Sequence, residues 1–214
     1  MTGSPSIAVL DYGMGNLRSV EKALEHVGAR AEVTNDHDAA RGAAGLVLPG
    51  VGAFPRAMER IRELGLDELI AERLEAGTAT LGICLGLQLL FESSEELGGA
   101  EGLGLIPGTV RKLDAGGLKL PQIGWNDVAW RRRGALDDGL PQRCAFYHVH
   151  TYAPAPTRGD DVLATATYGA EFATAIEHAP LYGVQFHPEK SGSAGLRLLS
   201  NFTRICGAGL ARAA

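Results

Sequence analysis

The sequence lacks the features that mark membrane-bound, secreted and nucleic-acid-binding proteins. No apolar run approaches the roughly 20 residues that cross a bilayer. The first residues, MTGSPSIAVLDYG, lack the basic segment and long apolar core of a signal peptide. Lys and Arg number 20 against 25 Asp and Glu, so the formal net charge is −5, and no long basic run is present. We therefore expect a cytoplasmic protein that binds neither nucleic acid nor a membrane.

Cysteine is also scarce. The three cysteines, Cys84, Cys144 and Cys206, are odd in number, widely spaced and without a CxxC pair, which argues against a disulfide framework or a structural zinc site. Cys144 opens an apolar strand and Cys206 lies on the apolar stripe of a helix, so both are expected in the core. His148 and His150 share a strand face, but no third ligand is evident. We expect no metal.

The order of the elements predicts an α/β fold. Apolar strands alternate with amphipathic helices in the first half, which favours a parallel sheet covered on both faces. The predicted strands there are 6–13, 29–35, 45–50 and 78–83, and the predicted helices are 16–29, 55–76 with a break near 65–67, and 85–93.

The second half changes character. Short strands joined by turns follow between 108 and 190, and they predict a smaller antiparallel or mixed sheet added to the mostly parallel central sheet. A last helix is expected over 191–207, with Ser191 or Ser193 as N-cap and Gly207 near its end. The length suits one domain, 1–214.

The stretch LGICLGLQLL places Cys84 between Gly82 and Gly86, where an apolar strand meets an apolar helix. This pattern is typical of a nucleophile elbow, in which glycines allow close approach of neighbouring backbone. A helix N-terminus favours the reactive thiolate, and the N–H of Leu85 is placed to stabilise an oxyanion. The alternative is a small buried residue at a strand–helix junction.

A thiol nucleophile needs a base, and the base needs an orienting group. His187 in QFHPEK ends an apolar strand, and Glu189 two residues later points the same way in extended chain. The alternative is an ordinary turn with a surface histidine. His26, in a charged helix, and His37, in a polar loop, are expected at the solvated surface, and His178 has no evident partner.

The loop PGVGAF, residues 49–54, also follows a strand. Its glycines allow backbone amides to turn toward a bound group, so it is a candidate for a second oxyanion donor. It matches no Walker motif. Since no G-x-G-x-x-G follows the first strand, an ordinary Rossmann nucleotide site is disfavoured.

Together, GICLGLQ and the distant FHPE resemble the Cys-His-Glu glutaminases of the class I glutamine amidotransferase family. Within it, six stretches are similar to the branch serving imidazole glycerol phosphate synthase in histidine biosynthesis. They are DYGMGNLRSV, LPGVGAF, CLGLQLLFESSEE, PQIGWN, FYHVHTY and GVQFHPEKS. The resemblance runs from about residue 7 to residue 206 and implies a flavodoxin-like fold with no cofactor.

The resemblance implies a catalytic triad. Cys84 would attack the side-chain amide of L-glutamine, His187 would move the proton, and Glu189 would orient the ring. The oxyanion hole would be formed by N–H groups of Leu85 and of the Val51-Gly52 segment.

It also implies sites for substrate and partner. Glutamine would contact Gln88, Glu96 and the stretch His150-Thr151-Tyr152. A separate cyclase with a (β/α)8 barrel would receive the ammonia, with Asn16, Trp125 and Lys190 at or near that interface. For Trp125 the alternative is core packing, and for Lys190 a solvated loop.

Two residues depart from the family pattern. His148 stands where an aromatic or apolar residue is expected and would perturb His187 if it reached the site, and Gln122 stands where His is common. Other hypotheses are a different amidotransferase glutaminase, a γ-glutamyl hydrolase, or a non-catalytic scaffold subunit. The PGVG loop and DYGMGN disfavour the first two, and the complete Cys-His-Glu set disfavours the last.

Overall fold

The computed structural model describes residues 4–213, and the side chains of residues 4–209. The strands are β1 (Ser6–Leu10), β2 (Arg30–Thr34), β3 (Gly45–Leu48), β4 (Ala79–Ile83), β5 (Phe91–Ser94), β6 (Ala100–Glu101), β7 (Ile106–Lys112), β8 (Gln122–Trp130), β9 (Arg143–His150), β10 (Tyr152–Pro156), β11 (Val162–Tyr168), β12 (Ala170–His178) and β13 (Leu181–Val184). The helices are α1 (Leu17–His26), α2 (His37–Gly42), α3 (Phe54–Glu63), α4 (Leu66–Glu75), α5 (Leu85–Leu89) and α6 (Gly192–Ala213). Three single turns of 3₁₀ helix complete the fold: Glu96–Gly98, Gly159–Asp161 and Pro188–Lys190.

The main sheet has nine strands in the order β2-β1-β3-β4-β13-β12-β11-β8-β9. The first five of these are parallel to one another, and the last four continue the sheet in antiparallel fashion. A second sheet has the order β10-β7-β5-β6, with one parallel and two antiparallel pairings. The predicted α/β class with a smaller mixed sheet is confirmed. Most strands of the second half, however, extend the main sheet.

Two apolar layers cover the parallel part of the main sheet, because successive side chains of a strand point to opposite faces. In β1, Ile7 and Val9 pack with α1 and α6, whereas Ala8 and Leu10 pack with α2, α3, α4 and α5. The strands β3 and β4 are buried along their full length. This explains their continuous apolar sequences.

Three predictions about helices were wrong: two concern where a helix ends and one missed a helix. The helix predicted over 85–93 ends at Leu89, and the chain continues as strand β5, paired with β7. The short helix α2 is absent from the predicted helices; the Asp36 side chain accepts a hydrogen bond from Ala39 N, which caps it. The last helix continues past Gly207 to Ala213. Gly207 is not among the glycines with positive φ, the conformation that a C-terminal glycine stop needs.

The register of the parallel strands positions the site. Ile83 at the end of β4 pairs with Val184 at the end of β13, and Leu48 at the end of β3 pairs with Gly82. The segments that follow these three strands therefore meet at one edge of the sheet, where open α/β sheets bind their ligands. Within residues 4–213, no helix is long and apolar enough to cross a membrane.

Candidate active site

Cys84 sits on a strained turn between β4 and α5. Its φ of 55° and ψ of −109° are unusual for a residue with a side chain. A Cβ at Gly82 would lie 2.7 Å from Gly86 O, and one at Gly86 would lie 1.7 Å from Leu48 O. Both flanking glycines are therefore required by backbone contact, as predicted from the pattern.

His187 and Glu189 lie beside Cys84, just beyond the end of β13. His187 Nδ1 is 2.9 Å from Glu189 Oε1, and their side chains are 4% and 1% exposed. Burial disfavours the charged ring, but hydrogen bonding to Cys84 and Glu189 outweighs burial and raises the pKa of His187 to about 10. Since Nδ1 is used by Glu189, Nε2 is the ring atom left for the thiol. The three predicted catalytic residues are thus brought together.

Ser191 fixes the turn that carries this pair. Its hydroxyl donates to His187 O at 2.6 Å and accepts from Tyr147 N at 3.0 Å. It precedes α6, as predicted for an N-cap, but its hydroxyl ties the turn Pro188–Lys190 to β9.

Cys84 opens into a cleft of about 270 Å³. The lining consists of Val51, Gly52, Cys84, Gln88, Glu96, Pro121, Val149, His150, Thr151, Tyr152, His187 and Lys190. All five residues predicted to contact glutamine are among them, and so are both members of the predicted Val51-Gly52 segment. The cleft is large enough for one amino acid.

Several lining side chains are held by the surrounding backbone. Gln88 Nε2 donates to Tyr152 O at 2.9 Å, and Glu96 Oε2 accepts from Phe54 N at 2.8 Å. His150 Nδ1 is 2.9 Å from Tyr152 O. Because a carbonyl oxygen only accepts, His150 Nδ1 carries the proton and Nε2 is an acceptor. That Nε2 is buried without a partner among the described residues.

His148 does not reach the cleft. It is fully buried beneath it, with Nε2 2.8 Å from Thr174 Oγ1 and Nδ1 3.1 Å from Phe146 O. Burial and the neighbouring His150 lower the pKa of His148 to about 3, and burial lowers the pKa of His150 to about 4. Both rings are neutral at neutral pH. In the described part of the chain, no three His, Cys, Asp or Glu side chains are arranged to hold a metal ion.

One predicted oxyanion donor, the N–H of Leu85, is not free in this conformation. Leu85 N donates to Gly50 O at 3.3 Å. The Gly50–Val51 peptide is trans, so its N–H points opposite to its carbonyl, away from Leu85. Tyr12 is fully buried and its hydroxyl donates to Pro49 O at 2.5 Å, which fixes the loop from the other side.

The three predicted interface residues lie outside the core. Trp125 is 59% exposed, with one edge-on contact to Tyr147 at 6.1 Å, so the core-packing alternative is wrong. Lys190 is exposed at the cleft. Asn16 is half-buried before α1, where its Oδ1 accepts from Ser19 Oγ at 2.9 Å, and it does not line the cleft.

The remaining cysteines and two of the remaining histidines lie away from the cleft, in surroundings that give them a structural role. Cys206 is buried as predicted, whereas Cys144 is only half-buried, and none of the three cysteines is in a disulfide. His178 does have a partner, since its Nδ1 lies 2.9 Å from Asp161 Oδ1. His37 Nε2 is 2.9 Å from Leu64 O.

Sequence reasoning missed Gln185 and Tyr12. Gln185 is fully buried, and its Nε2 lies 3.7 Å from Cys84 Sγ. The available signal was a polar residue inside the apolar run LYGVQF, because a buried polar residue is the informative exception in a core strand.

Comparison with known proteins agrees with this geometry. Residues 8–206 match the family described as "Glutamine amidotransferase class-I". A protein of Moorella thermoacetica named "Imidazole glycerol phosphate synthase subunit HisH" is 52% identical over 199 residues, which is 93% of this chain and 94% of that protein. Proteins of the same name from Herpetosiphon aurantiacus and Chlorobaculum tepidum are 49% and 43% identical; these alignments also cover 93% of this chain, with 94% and 100% of those proteins.

Solved structures share the fold. A Thermoplasma acidophilum protein, described as belonging to a GMP synthase, superposes with a TM-score of 0.74 at 22% identity, covering 100% of this chain and 99% of that one. PurLQS from Thermotoga maritima gives a TM-score of 0.74 at 17% identity, covering 94% and 99%. The elbow, the cleft and the match over residues 8–206 lead to one conclusion: the chain belongs to the class I glutamine amidotransferase family.

Proposed function

We propose that this chain hydrolyses L-glutamine to glutamate and ammonia as the glutaminase subunit of an imidazole glycerol phosphate synthase. It thereby supplies ammonia for histidine biosynthesis in the cytoplasm. The observation that carries the proposal is the placement of Cys84 and His187 in one amino-acid-sized cleft, with the buried Glu189 bonded to the far side of the His187 ring. Relatives at 43–52% identity over most of the chain bear the name of that subunit.

The triad geometry supports a thioester mechanism. Cys84 Sγ, its proton taken by His187, adds to the side-chain carbonyl carbon of glutamine and gives a tetrahedral oxyanion. Collapse breaks the C–N bond, and His187 returns the proton to the leaving nitrogen, which departs as ammonia. His187 then deprotonates a water that hydrolyses the thioester to glutamate. Glu189 holds the ring and compensates the imidazolium charge.

The cleft provides groups that complement an amino acid. The Glu96 carboxylate faces the cleft and suits the substrate's α-ammonium group. His150 Nε2 is a buried acceptor without a partner in the described part of the chain, and such a group gains most from a bound donor. Gln88 and Thr151 add neutral polar groups along the same wall.

The oxyanion hole has to open before fast turnover. The N–H of Leu85 donates a hydrogen bond to Gly50 O, with 3.3 Å between N and O, and so is not available to an oxyanion. Rotation of the Gly50–Val51 peptide would free that N–H and turn the Val51 N–H toward the oxyanion. Loss of one oxyanion donor typically costs about 10²–10³ in rate. We infer that this peptide keeps the lone subunit slow.

A partner is required by the chemistry of the product. Ammonia released to water near neutral pH becomes mostly ammonium, which is no nucleophile. The cleft carries exposed Val51 at its edge and Pro121 in its lining, and exposed Ile123 and Trp125 follow along β8. Exposed apolar side chains of this kind mark interaction sites. We assign this surface, with Lys190, to a (β/α)8-barrel cyclase that accepts the ammonia and makes imidazole glycerol phosphate and an aminoimidazole carboxamide ribonucleotide.

The test uses Cys84→Ala in complex with the cyclase. Synthesis from glutamine should be abolished, while synthesis from ammonium salts continues at the wild-type rate, because only the nucleophile is removed. Ser replacement of the half-buried Cys144 is the matched control and should leave both activities intact. Glutamine-dependent synthesis by Cys84→Ala at near wild-type rate would refute the mechanism.

A further inference from the structure

A fully buried carboxamide lies directly beside the nucleophile. Gln185 follows the last residue of β13 as Cys84 follows the last residue of β4, and Ile83 and Val184 before them are paired in the sheet. Cys84 N donates to Val184 O at 2.8 Å, which brings the next residues side by side. Gln185 is not part of the cleft lining, so it faces the sulfur from inside the protein.

Hydrogen bonds fix which end of this amide faces the sulfur. Tyr152 O can only accept, so the Gln88 atom 2.9 Å away is its nitrogen. The same nitrogen lies 3.0 Å from Gln185, and therefore the Gln185 atom there is the oxygen. The nitrogen of Gln185 is then the atom that lies 3.7 Å from Cys84 Sγ. The orientation follows from a chain of bonds that begins at a backbone carbonyl.

An N–H donor beside sulfur favours the thiolate over the thiol. A thiolate is a good acceptor, whereas the sulfur of a neutral thiol accepts only weakly. Sulfur is the only partner found for Gln185 Nε2 among the described residues. Burying a glutamine costs free energy unless its polar atoms are hydrogen-bonded, and here the bonds to Gln88 and to the sulfur of Cys84 offset that cost. The other titratable groups acting on Cys84 are His187 and Tyr12.

We propose that the Gln185 carboxamide, oriented by Gln88, donates a hydrogen bond to the Cys84 thiolate and stabilises the nucleophile from beneath the cleft. It acts from the face opposite to the substrate, so it contributes to reactivity and not to glutamine binding. The inference builds on the proposed role of Cys84 as the nucleophile.

The decisive experiment measures alkylation of Cys84 by iodoacetamide between about pH 5 and about pH 10, a range that brackets thiol titration. Mass spectrometry of the Cys84 peptide separates it from Cys144 and Cys206. Gln185→Met keeps length and volume but removes the donor. In Gln185→Met, the midpoint of the curve of alkylation rate against pH should rise by about one pH unit, which means about tenfold less Cys84 thiolate below the midpoint. With the cyclase bound, kcat for glutamine should fall while KM is unchanged.

Two further variants keep the test sharp. Gln185→Asn retains the amide but shortens it by one methylene, so the donor no longer reaches sulfur and the midpoint should again rise. Thr174→Val is the matched control: it also removes a buried hydrogen bond, to His148, without touching Cys84. Its midpoint should stay within about 0.2 unit of wild type.

The proposal is overturned if folded Gln185→Met or Gln185→Asn titrates like wild type, or if Thr174→Val shifts the midpoint as much. Alkylation needs neither glutamine nor cyclase, so the result does not depend on the proposed function. Continued glutamine use by Cys84→Ala would remove that function, whereas an unchanged midpoint removes only the role of Gln185.

Discussion

Alanine at Gly86 and alanine at Gly207 should change stability in opposite directions, although both glycines lie in helices. A Cβ at Gly86 would lie 1.7 Å from the backbone oxygen of Leu48, far inside any non-bonded contact. Among the side chains that the structure describes, a Cβ at Gly207 would meet only Pro5 Cγ, at 4.0 Å, which is an ordinary contact. The clash at Gly86 is with backbone, so it can be relieved only by moving β3 away from α5.

The magnitudes follow from these contacts. Overpacking a core typically costs 1–3 kcal/mol, so Gly86→Ala should lower the free energy of unfolding by about 2–3 kcal/mol. Gly207→Ala should raise it by about 0.5–1 kcal/mol, because glycine is a poor helix former. Movement of α5 also displaces the Leu85 N–H and Cys84, so Gly86→Ala should lose glutaminase activity even where it remains folded.

Urea unfolding, followed by circular dichroism, gives the unfolding free energies of wild type, Gly86→Ala and Gly207→Ala. Glutamate release with the cyclase bound gives their glutaminase activities. Gly207→Ala should keep wild-type activity. A Gly86→Ala protein within about 0.5 kcal/mol of wild type, the usual range for a harmless substitution, and fully active would contradict the packing argument for the elbow.

Three further outcomes are expected. Glu189→Gln should lower the pKa of His187 from about 10, seen by NMR of the ring, and should slow glutamine hydrolysis less than Cys84→Ala does. The raised pKa of His187 stabilises the folded state fully below about pH 6.5, and this stabilisation is lost as the pH rises toward about 10. The difference in unfolding free energy between wild type and Glu189→Gln should therefore shrink between about pH 6.5 and about pH 10. Trp125→Ala should change the unfolding free energy by less than about 0.5 kcal/mol, since the ring is exposed, yet weaken cyclase binding by about 2 kcal/mol in calorimetry. Tyr12→Phe leaves the buried carbonyl of Pro49 without its donor, so it should lower the unfolding free energy in urea by about 1–2 kcal/mol. It should also raise the glutaminase activity measured without the partner, because the loop after β3 is loosened. If both values are unchanged, Tyr12 does not fix this loop.

Local pattern was sufficient to predict the tight turn at Cys84 and the contact between His187 and Glu189, whereas their grouping as a triad came from the family resemblance. Gly82 and Gly86 indicate a close backbone contact that a side chain would block. The i, i+2 spacing of His187 and Glu189 predicts the contact found between His187 Nδ1 and Glu189 Oε1 at 2.9 Å. The alternation of apolar strands and helices likewise predicts the parallel half of the sheet. Each of these signals depends on residues close together in the sequence.

Features decided by distant segments were not predictable in this way. The apolar run after Cys84 suits a helix or a buried strand equally, and pairing of β5 with β7 decides that the helix stops at Leu89. The direction of the Gly50–Val51 peptide and the orientation of the Gln185 amide depend on bonds to Leu85 and Gln88, which no single stretch contains.

The most direct test of the account is glutamate release from glutamine by this chain, measured alone and then with a (β/α)8-barrel cyclase and its nucleotide ligand. The Leu85 N–H held by Gly50 O predicts a low rate alone and a rise of about 10²–10³ in the complex, the value of an oxyanion donor. A high rate alone, indifferent to the cyclase, would mean a free-standing glutaminase or γ-glutamyl hydrolase and would contradict the account.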